Sequence, residues 1–436
     1  MYVRRVALEG IRGFQELDFT FERPDGSYSG WNVITGDNGS GKSAFLKSVA
    51  LALVGPESSR LLQPGLNGWI RQGFKHGTIA AQLVAGPLDR FTQGPKFDKP
   101  FWSELELAST SRGLVSLKTG QRYLKQKRGP TRGPWLDEPE GWFCIGYGPF
   151  RRLYGHSPEA QRIMSTPGKV SRFATLFRED ATLAEGDLWL RDLRYREYEG
   201  DLFAKETLTT VLGLLDSHFL QHEMRVDQVD ANGLWVRQAD GTKLPLESLS
   251  DGYRSSIAML IDIVRQLIDV YELQGFTTST DGFPRVEHSG VVLIDEIDAH
   301  LHPSWQRVVG EWFKKVLPNM QFIVTTHSPL ICQAASEQGI YHLPAPGSGY
   351  QPFQLAPLDY QKVIAGRPNE IYLSPAFGLE HTRSPKAVSA REQYAHLQAK
   401  KSARGGLTPA DQKKEEQLSL FVFPEKSDEK NTEATS

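Results

Sequence analysis

The residues best equipped for chemistry in this chain are Gly36-Asp37-Asn38-Gly39-Ser40-Gly41-Lys42-Ser43, which satisfy the spacing Gly-x4-Gly-Lys-Ser. Glycines at these positions let successive backbone N–H groups curl around a phosphate, and a helix starting at the loop adds its positive end. Lys42 would neutralise the β- and γ-phosphates of a nucleotide, and the Ser43 hydroxyl would hold Mg²⁺. Two further segments carry matching chemistry. The apolar run Val291-Val-Leu-Ile294 delivers two carboxylates, Asp295 and Glu296, at its end. Asp295 suits holding the metal through the metal's own ligands rather than directly, and Glu296 suits orienting or deprotonating an attacking water. An apolar strand ending in Asp-Glu is weak evidence alone; behind a phosphate loop it becomes strong. His327, in Thr325-Thr-His-Ser-Pro329, follows another apolar segment.

These side chains need a scaffold that presents them together. Residues 2–9 and 14–21 alternate apolar and polar and predict a hairpin around Gly10-Ile-Arg-Gly13. A short strand at 31–35, the glycine loop, and helical spacing over 43–54 give the order strand, loop, helix. Residues 55–150 read as loop-rich, with strands at 78–85 and 142–147. Residues 157–220 read as mostly helical and 225–246 as strand and turn. Then come a helix at 251–273, the strand 290–294, a helix at 304–317 and a strand at 321–326. A charged helix is expected at 408–420, with Thr408 as cap and Pro409 as its first residue. The polar end, 425–436, is expected to be disordered. The organisation predicted is a first half of the domain at 1–150, a helical insertion at 151–225, a second half at 226–345 and an extension at 346–424.

Leu249-Ser250-Asp251-Gly252-Tyr253 precedes a helix by its position and stands about forty residues ahead of the Asp-Glu pair. It is similar to the signature Leu-Ser-Gly-Gly-Gln of ABC ATPases. The competing reading is a helix cap by Ser250 or Asp251; the order and spacing of the motifs favour the signature. With Asp298 at the D-loop position and His327 at that of the switch histidine, the chain resembles the ABC-type ATPases of the RecF, SMC and OLD group. The stretch Leu293-Ile-Asp-Glu-Ile-Asp-Ala-His-Leu-His-Pro303 is especially similar to a compact bacterial branch found as ATPase subunits of Septu and certain retron anti-phage systems.

That resemblance implies an α/β fold: a P-loop ABC-type ATPase head with a mostly helical insertion and a small C-terminal extension. It implies hydrolysis of ATP with Mg²⁺, in a head-to-tail homodimer or higher homo-oligomer. Gly36, Asn38, Gly39, Gly41, Lys42 and Ser43 would bind the nucleotide of their own subunit. Ser250 and Gly252 would cap the partner's nucleotide, and Asp298 would line the site. Ser43 and Asp295 would hold the metal, Glu296 and His327 would act in catalysis, and Arg12 or Phe14 would lie near the adenine. Two departures stand out. The glutamine loop has no clear equivalent; Gly146-Tyr-Gly-Pro-Phe-Arg-Arg152 stands in its place, with Arg151 the candidate γ-phosphate sensor. The interval before the signature lacks a heptad pattern, which excludes a long coiled-coil arm.

Composition narrows the setting. Net charge is −2, so DNA contact would need a local patch. Residues 107–136 hold seven basic side chains and no acidic one: Arg112, Lys118, Arg122, Lys125, Lys127, Arg128 and Arg132. This is a candidate DNA surface, or a solvated hairpin. Gln417-Leu-Ser-Leu-Phe421 looks like a sliding-clamp docking peptide, or the apolar end of a helix. Cys144 and Cys332 sit in apolar contexts, and no bilayer-spanning run is present, so a cytoplasmic protein without membrane contact is expected. A zinc site from Asp298, His300, His302 and His327 is disfavoured because the ATPase pattern accounts for those positions. After His327 there is no Glu with Asp-x-Asp and no His-Asn-His arrangement, so any nuclease or toxin it controls is a separate effector. The expected role is regulation of such a DNA-directed effector in anti-phage defence. The alternatives are a repair or replication ATPase acting on DNA directly and, less favoured, a transporter subunit.

Overall fold

In a computed structural model, the alternating residues of Tyr2–Ile11 (β1) and Phe14–Thr20 (β2) pair antiparallel, with Ile11 opposite Phe14. The structure describes residues 1–92, 99–110, 114–124, 129–151, 157–164, 168–217, 220, 223–278, 282–404 and 406–422. Arg112, Lys125, Lys127, Arg128, Arg152 and the tail from 423 lie outside them. The strands that follow are β3 (Gly30–Gly36), β4 (His76–Val84), β5 (Phe101–Ser109), β6 (Val115–Thr119) and β7 (Cys144–Tyr147). Next come β8 (Arg225–Asp230), β9 (Gly233–Arg237), β10 (Lys243–Pro245), β11 (Phe276–Thr278) and β12 (Pro284–Val286). The last are β13 (Gly290–Ile294), β14 (Met320–Thr325), β15 (Ile340–Leu343) and β16 (Phe353–Gln354).

Two large sheets organise them. One is antiparallel in the order β2-β1-β4-β5-β6; the other runs β16-β15-β3-β14-β13-β7, parallel except for β16. A parallel sheet needs both faces covered, and the residues of β3, β13 and β14 are buried throughout. Their alternation divides the core. Ile34, Val291, Leu293 and Ile323 join Phe45, Leu46 and Val49 of the helix Lys42–Leu62 and the inner face of the antiparallel sheet. Trp31, Val33, Val292, Ile294, Phe322 and Val324 join the opposite core, with the helices Asp251–Tyr271 and Val309–Val316. Each such apolar side chain contributes about 1.5–3 kcal/mol by leaving water. The pleat thereby fixes one register: a slip by one residue would exchange the two faces.

The helix Lys42–Leu62 bends at Gly55, φ 84°, beside Pro56. Pro56 has no N–H to give the Ala52 carbonyl, four residues back. The Trp135 indole (2.9 Å) and the Ser103 hydroxyl donate to it instead. Residues 55–150, expected to be loop-rich, hold the additional strands β5 and β6. Phe101, Leu105 and Leu107 of β5 point inward at period two, but a serine interrupts the apolar set, and it is buried for that carbonyl. The helix expected at 304–317 is two short helices, Pro303–Gln306 and Val309–Val316. The interval after β7 is helical, as expected, with Ala184–Tyr198 and Leu202–Leu215 packed on Asp251–Tyr271. Asp201 caps the second of these by accepting from the Ala204 N–H at 3.0 Å.

A separate compact unit begins at Gly378. In it the helices Pro385–Arg404 and Pro409–Val422 pair as a hairpin, joined by Lys400–Asp411 and Lys401–Glu415 ion pairs. Thr408 accepts from the Asp411 N–H at 3.2 Å, the cap expected from the sequence. Gln417–Phe421 continues the second helix.

Candidate functional site

Because β7, β13, β14 and β3 are neighbours and parallel, their C-terminal ends share one edge, where ligands of open α/β sheets bind. β3 runs into the phosphate loop, β13 into Asp295 and Glu296, β14 into His327, and β7 into Arg151. The loop itself is left-handed at Gly39 (φ 79°) and Gly41 (φ 98°). A Cβ on Gly41 would stand 2.8 Å from the Phe14 ring, so this position needs glycine for two reasons. Asp37, Asn38 and Gly39 are exposed at the top of the loop, and Ser43 is half-buried in the first turn of the helix. Lys42 is buried, and its ammonium donates to the carbonyls of Gly36 (2.8 Å) and Asp37 (3.0 Å). Burial lowers its pKa from the ordinary lysine value, against the pull of Asp295, Glu296, Asp37 and Asp298.

Thr325, the last residue of β14, joins the two carboxylate positions. Its hydroxyl donates to Asp295 Oδ1 at 2.6 Å and accepts the Glu296 N–H at 2.7 Å. Asp295 is only 2 % exposed, so this bond fixes a carboxylate that is almost wholly buried. Glu296 takes a left-handed backbone, φ 45°, two residues past the end of β13. Thr326 donates its hydroxyl to Asp298, which also accepts the His327 N–H at 3.3 Å. Burial, then the Lys42 charge, lowers the His327 pKa, which favours a neutral ring. Thr325 carried no role in the sequence reading; the signal available was a hydroxyl directly after an apolar strand. Thr325→Val is expected to leave the Asp295 oxygen and the Glu296 N–H unpartnered, costing about 1–3 kcal/mol of stability for each. Turnover should fall by as much as about 10²-fold, since small misplacements cost that much. Thr325→Ser should restore both, measured by melting and phosphate release.

The signature segment packs on the turn after Glu296. Gly252 lies against the His300 carbonyl, where a Cβ would stand 2.3 Å from that oxygen. The Tyr253 ring meets Trp305 edge-on at 5.2 Å. Ser250 occupies the cap position of the helix Asp251–Tyr271, yet its side chain makes no capping bond and is exposed. Asp251 pairs with Arg254. Among the described residues neither Ser250 nor Gly252 hydrogen-bonds the phosphate loop of its own chain.

Arg151 does not point as a phosphate sensor would: it is buried and bonds main-chain carbonyls of the turn after β13. Burial pushes its pKa down to about 10, opposed by Asp295, Asp298 and Glu296. Of the residues offered for the adenine, Phe14 is buried against Gly41 and Arg12 lies over the Trp69 ring at 4.4 Å. A cleft of about 260 Å³ beside the loop is lined by Phe14, Ser40, Arg71 and residues 344–352. His302 caps the helix Pro303–Gln306 through its ring nitrogen, and among the described residues no three His, Cys, Asp or Glu side chains form a metal cluster. Ser43 and Asp295 fit a magnesium–nucleotide complex in donor chemistry: the Ser43 hydroxyl offers an oxygen to the metal, and the Asp295 carboxylate, held through Oδ1 by Thr325, can accept from the metal's water. In the basic stretch, Lys118 and Arg132 are exposed, while Arg122 stacks on Trp102 and pairs with Glu104.

One buried and two half-buried histidines give the fold a pH dependence. His288, His327 and His342 all have pKa values lowered from 6.5, chiefly by burial. Below 6.5 the unfolded chain takes up protons that the folded chain refuses. Stability therefore falls as pH falls. The melting temperature is expected to decline on acidification below that value, and His288→Gln or His342→Gln should flatten the slope.

Two family models match the chain: one described as "AAA domain" over residues 5–93, the other as "AAA domain, putative AbiEii toxin, Type IV TA system" over 152–333. Septu protein PtuA of Bacillus mycoides (strain KBAB4) is 24% identical over 332 residues, covering 76% of this chain and 38% of that protein. The "Retron Ec83 probable ATPase" of Escherichia coli is 38% identical over 104 residues, 24% of this chain and 18% of that protein. The relatives are Septu proteins and retron ATPases. The resemblance read from the motifs is the one these matches return, and the chain carries ATPase-domain sequence in both halves of its core. It spans less than half the length of these curated relatives. Among solved structures, an SMC head bound to the C-winged helix domain of ScpA aligns with 78% of this chain and 94% of its own, at 15% identity and TM-score 0.45. Among the described residues no helix is long and apolar enough to cross a membrane.

Proposed function

We propose that this chain is an ATP hydrolase that closes as a head-to-tail dimer and thereby gates a separate DNA-directed effector in anti-phage defence. The observation that carries the ATPase assignment is the meeting of the phosphate loop, Asp295–Glu296 and His327 at the ends of three adjacent parallel strands. Lys42 and the loop N–H groups bind the phosphates. Ser43 and Asp295 would hold Mg²⁺, which screens charge on the β- and γ-phosphates. Glu296 accepts a proton from the attacking water, and neutral His327 donates a hydrogen bond to the γ-phosphate. Positioning and charge stabilisation supply most of the rate. The cleft beside Phe14 and Arg71 receives the base.

Dimerisation is supported by Ser250, exposed at a helix start with a side chain that makes no capping bond to that helix, which leaves it placed to meet a partner's nucleotide. A nucleotide that contacts both subunits only when closed shifts the equilibrium toward the dimer. Defence and a separate effector are supported by the Septu and retron relatives. The test is phosphate release by the purified chain, followed by co-expression with neighbouring genes and identification of what co-elutes. Turnover together with a stoichiometric nuclease or toxin establishes the gated effector. Turnover without a partner, stimulated by DNA, transfers the role to direct action on DNA. No turnover overturns the ATPase assignment.

A further inference from the structure

Arg151 is 5 % exposed, and among the described residues its guanidinium donates to carbonyl oxygens. Nη1 donates to Gly148 at 3.1 Å and Asp295 at 2.9 Å. Nη2 donates to Glu296 at 3.1 Å, with Ile297 at 3.4 Å and Ala299 at 3.5 Å at the limit of reach. These four later carbonyls belong to the turn that carries Glu296 and Asp298. The turn departs from regular backbone at two non-glycine residues, Glu296 (φ 45°) and His300 (φ 66°). A left-handed conformation at such residues persists only where surrounding bonds over-determine it.

Few side chains could meet that demand. A guanidinium offers five N–H donors in a planar fork and can serve successive carbonyls at once. An ammonium donates from a single point. The parallel register puts Arg151 in place: Ile294 lies beside Tyr147, and the Asp295 N–H donates to the Tyr147 carbonyl at 2.8 Å. The chain after β7 therefore enters the turn alongside β13 and turns its arginine back beneath it.

We propose that Arg151 is a positioning residue for hydrolysis. It pins the main chain of Asp295–Ala299 and so sets where the Glu296 carboxylate and Asp298 stand. It takes no part in holding the nucleotide, which is the work of Lys42 and the phosphate loop. This role rests on the ATPase assignment above, and it adds that binding and turnover separate at one buried cation.

The test uses full-length Arg151→Ala and Arg151→Lys. Three quantities are measured: affinity for a fluorescent ATP analogue with Mg²⁺, single-turnover hydrolysis, and hydrogen exchange across residues 294–301. Affinity should stay within about threefold of wild type while turnover in the alanine variant falls by about 30- to 100-fold, the scale of a misplaced catalytic group. Lysine should recover part of the rate, and added methylguanidinium should recover part in the alanine variant. Amide exchange at 294–301 should rise while that of β14 stays unchanged. Affinity falling in parallel with turnover, unchanged turnover, or unchanged exchange at 294–301 would each overturn the role. If the alanine variant does not fold, the lysine variant carries the same comparison. If wild type releases no phosphate, the ATPase assignment fails, and the exchange measurement alone still decides whether Arg151 holds the turn.

Discussion

Glu296→Gln should reduce ATP turnover by about 10²- to 10⁴-fold, the range supplied by a positioned general base, while MgATP binding is kept. The amide is isosteric, and the backbone that places it is held independently of the side chain. Its N–H goes to Thr325 Oγ1 at 2.7 Å and its carbonyl to Arg151 at 3.1 Å. Neither bond involves the carboxylate, so the substitution removes a proton acceptor without moving the loop. With hydrolysis blocked and ATP still bound, the closed dimer should accumulate. Light scattering after size exclusion, with and without ATP, should then show a stable dimer for the variant and a transient one for wild type. Normal turnover in Glu296→Gln would remove Glu296 from the mechanism. Lost turnover with no dimer would keep the catalytic role and reject the head-to-tail closure.

Lys42→Met should abolish nucleotide binding without destabilising the protein. Lys42 is 6 % exposed, its pKa is lowered by burial, and two of its donors rest on loop carbonyls. A lysine whose folded pKa is held below its unfolded value by burial opposes folding while it carries its charge. Methionine has similar length and no charge to desolvate. The nucleotide-free variant should therefore melt at or above the wild-type temperature, a cost of function seen where charged groups are kept for a ligand. Ligand stabilisation, about 2.7 kcal/mol at a hundredfold excess over Kd for one site, should vanish with it. Thermal shifts with and without MgATP separate the cases. A retained shift would refute the phosphate-loop assignment, and a large drop in the nucleotide-free melting temperature would make Lys42 a structural residue.

The parts of the site legible in the sequence are those made by short-range geometry. A glycine loop between strand and helix places Lys42 and Ser43 within a few residues of each other. Asp295 and Glu296 are placed by the end of one apolar strand. Thr408 at the start of a charged helix is equally local, since its hydroxyl serves an N–H three residues on. In each case the residues that define the feature also satisfy its backbone groups, so the pattern is complete within a window of ten or so positions. The helical interval before the signature and the alternation of β1 and β2 belong to the same class, because periodicity reports burial of one face.

Ser250 and Arg151 show where local reading stops. A serine ahead of a helix is a sound cap on sequence grounds, and only the structure leaves its hydroxyl unengaged by the helix. Arg151 stands at the position offered for a phosphate sensor, and the fold instead turns it onto carbonyls of residues 295–299. Ser103 concealed β5 because its partner, the Ala52 carbonyl, is orphaned by a proline in a different element. Thr325 acquires its part when β14 inserts between β3 and β13, bringing its hydroxyl to Asp295 across 30 residues of chain. The sequence by itself determined the phosphate loop, the carboxylate pair and the histidine, because turn conformation and strand burial are encoded by adjacent residues. Tertiary structure alone decided how the turn bearing Glu296 is held, because those bonds run between parallel strands whose order no local pattern specifies.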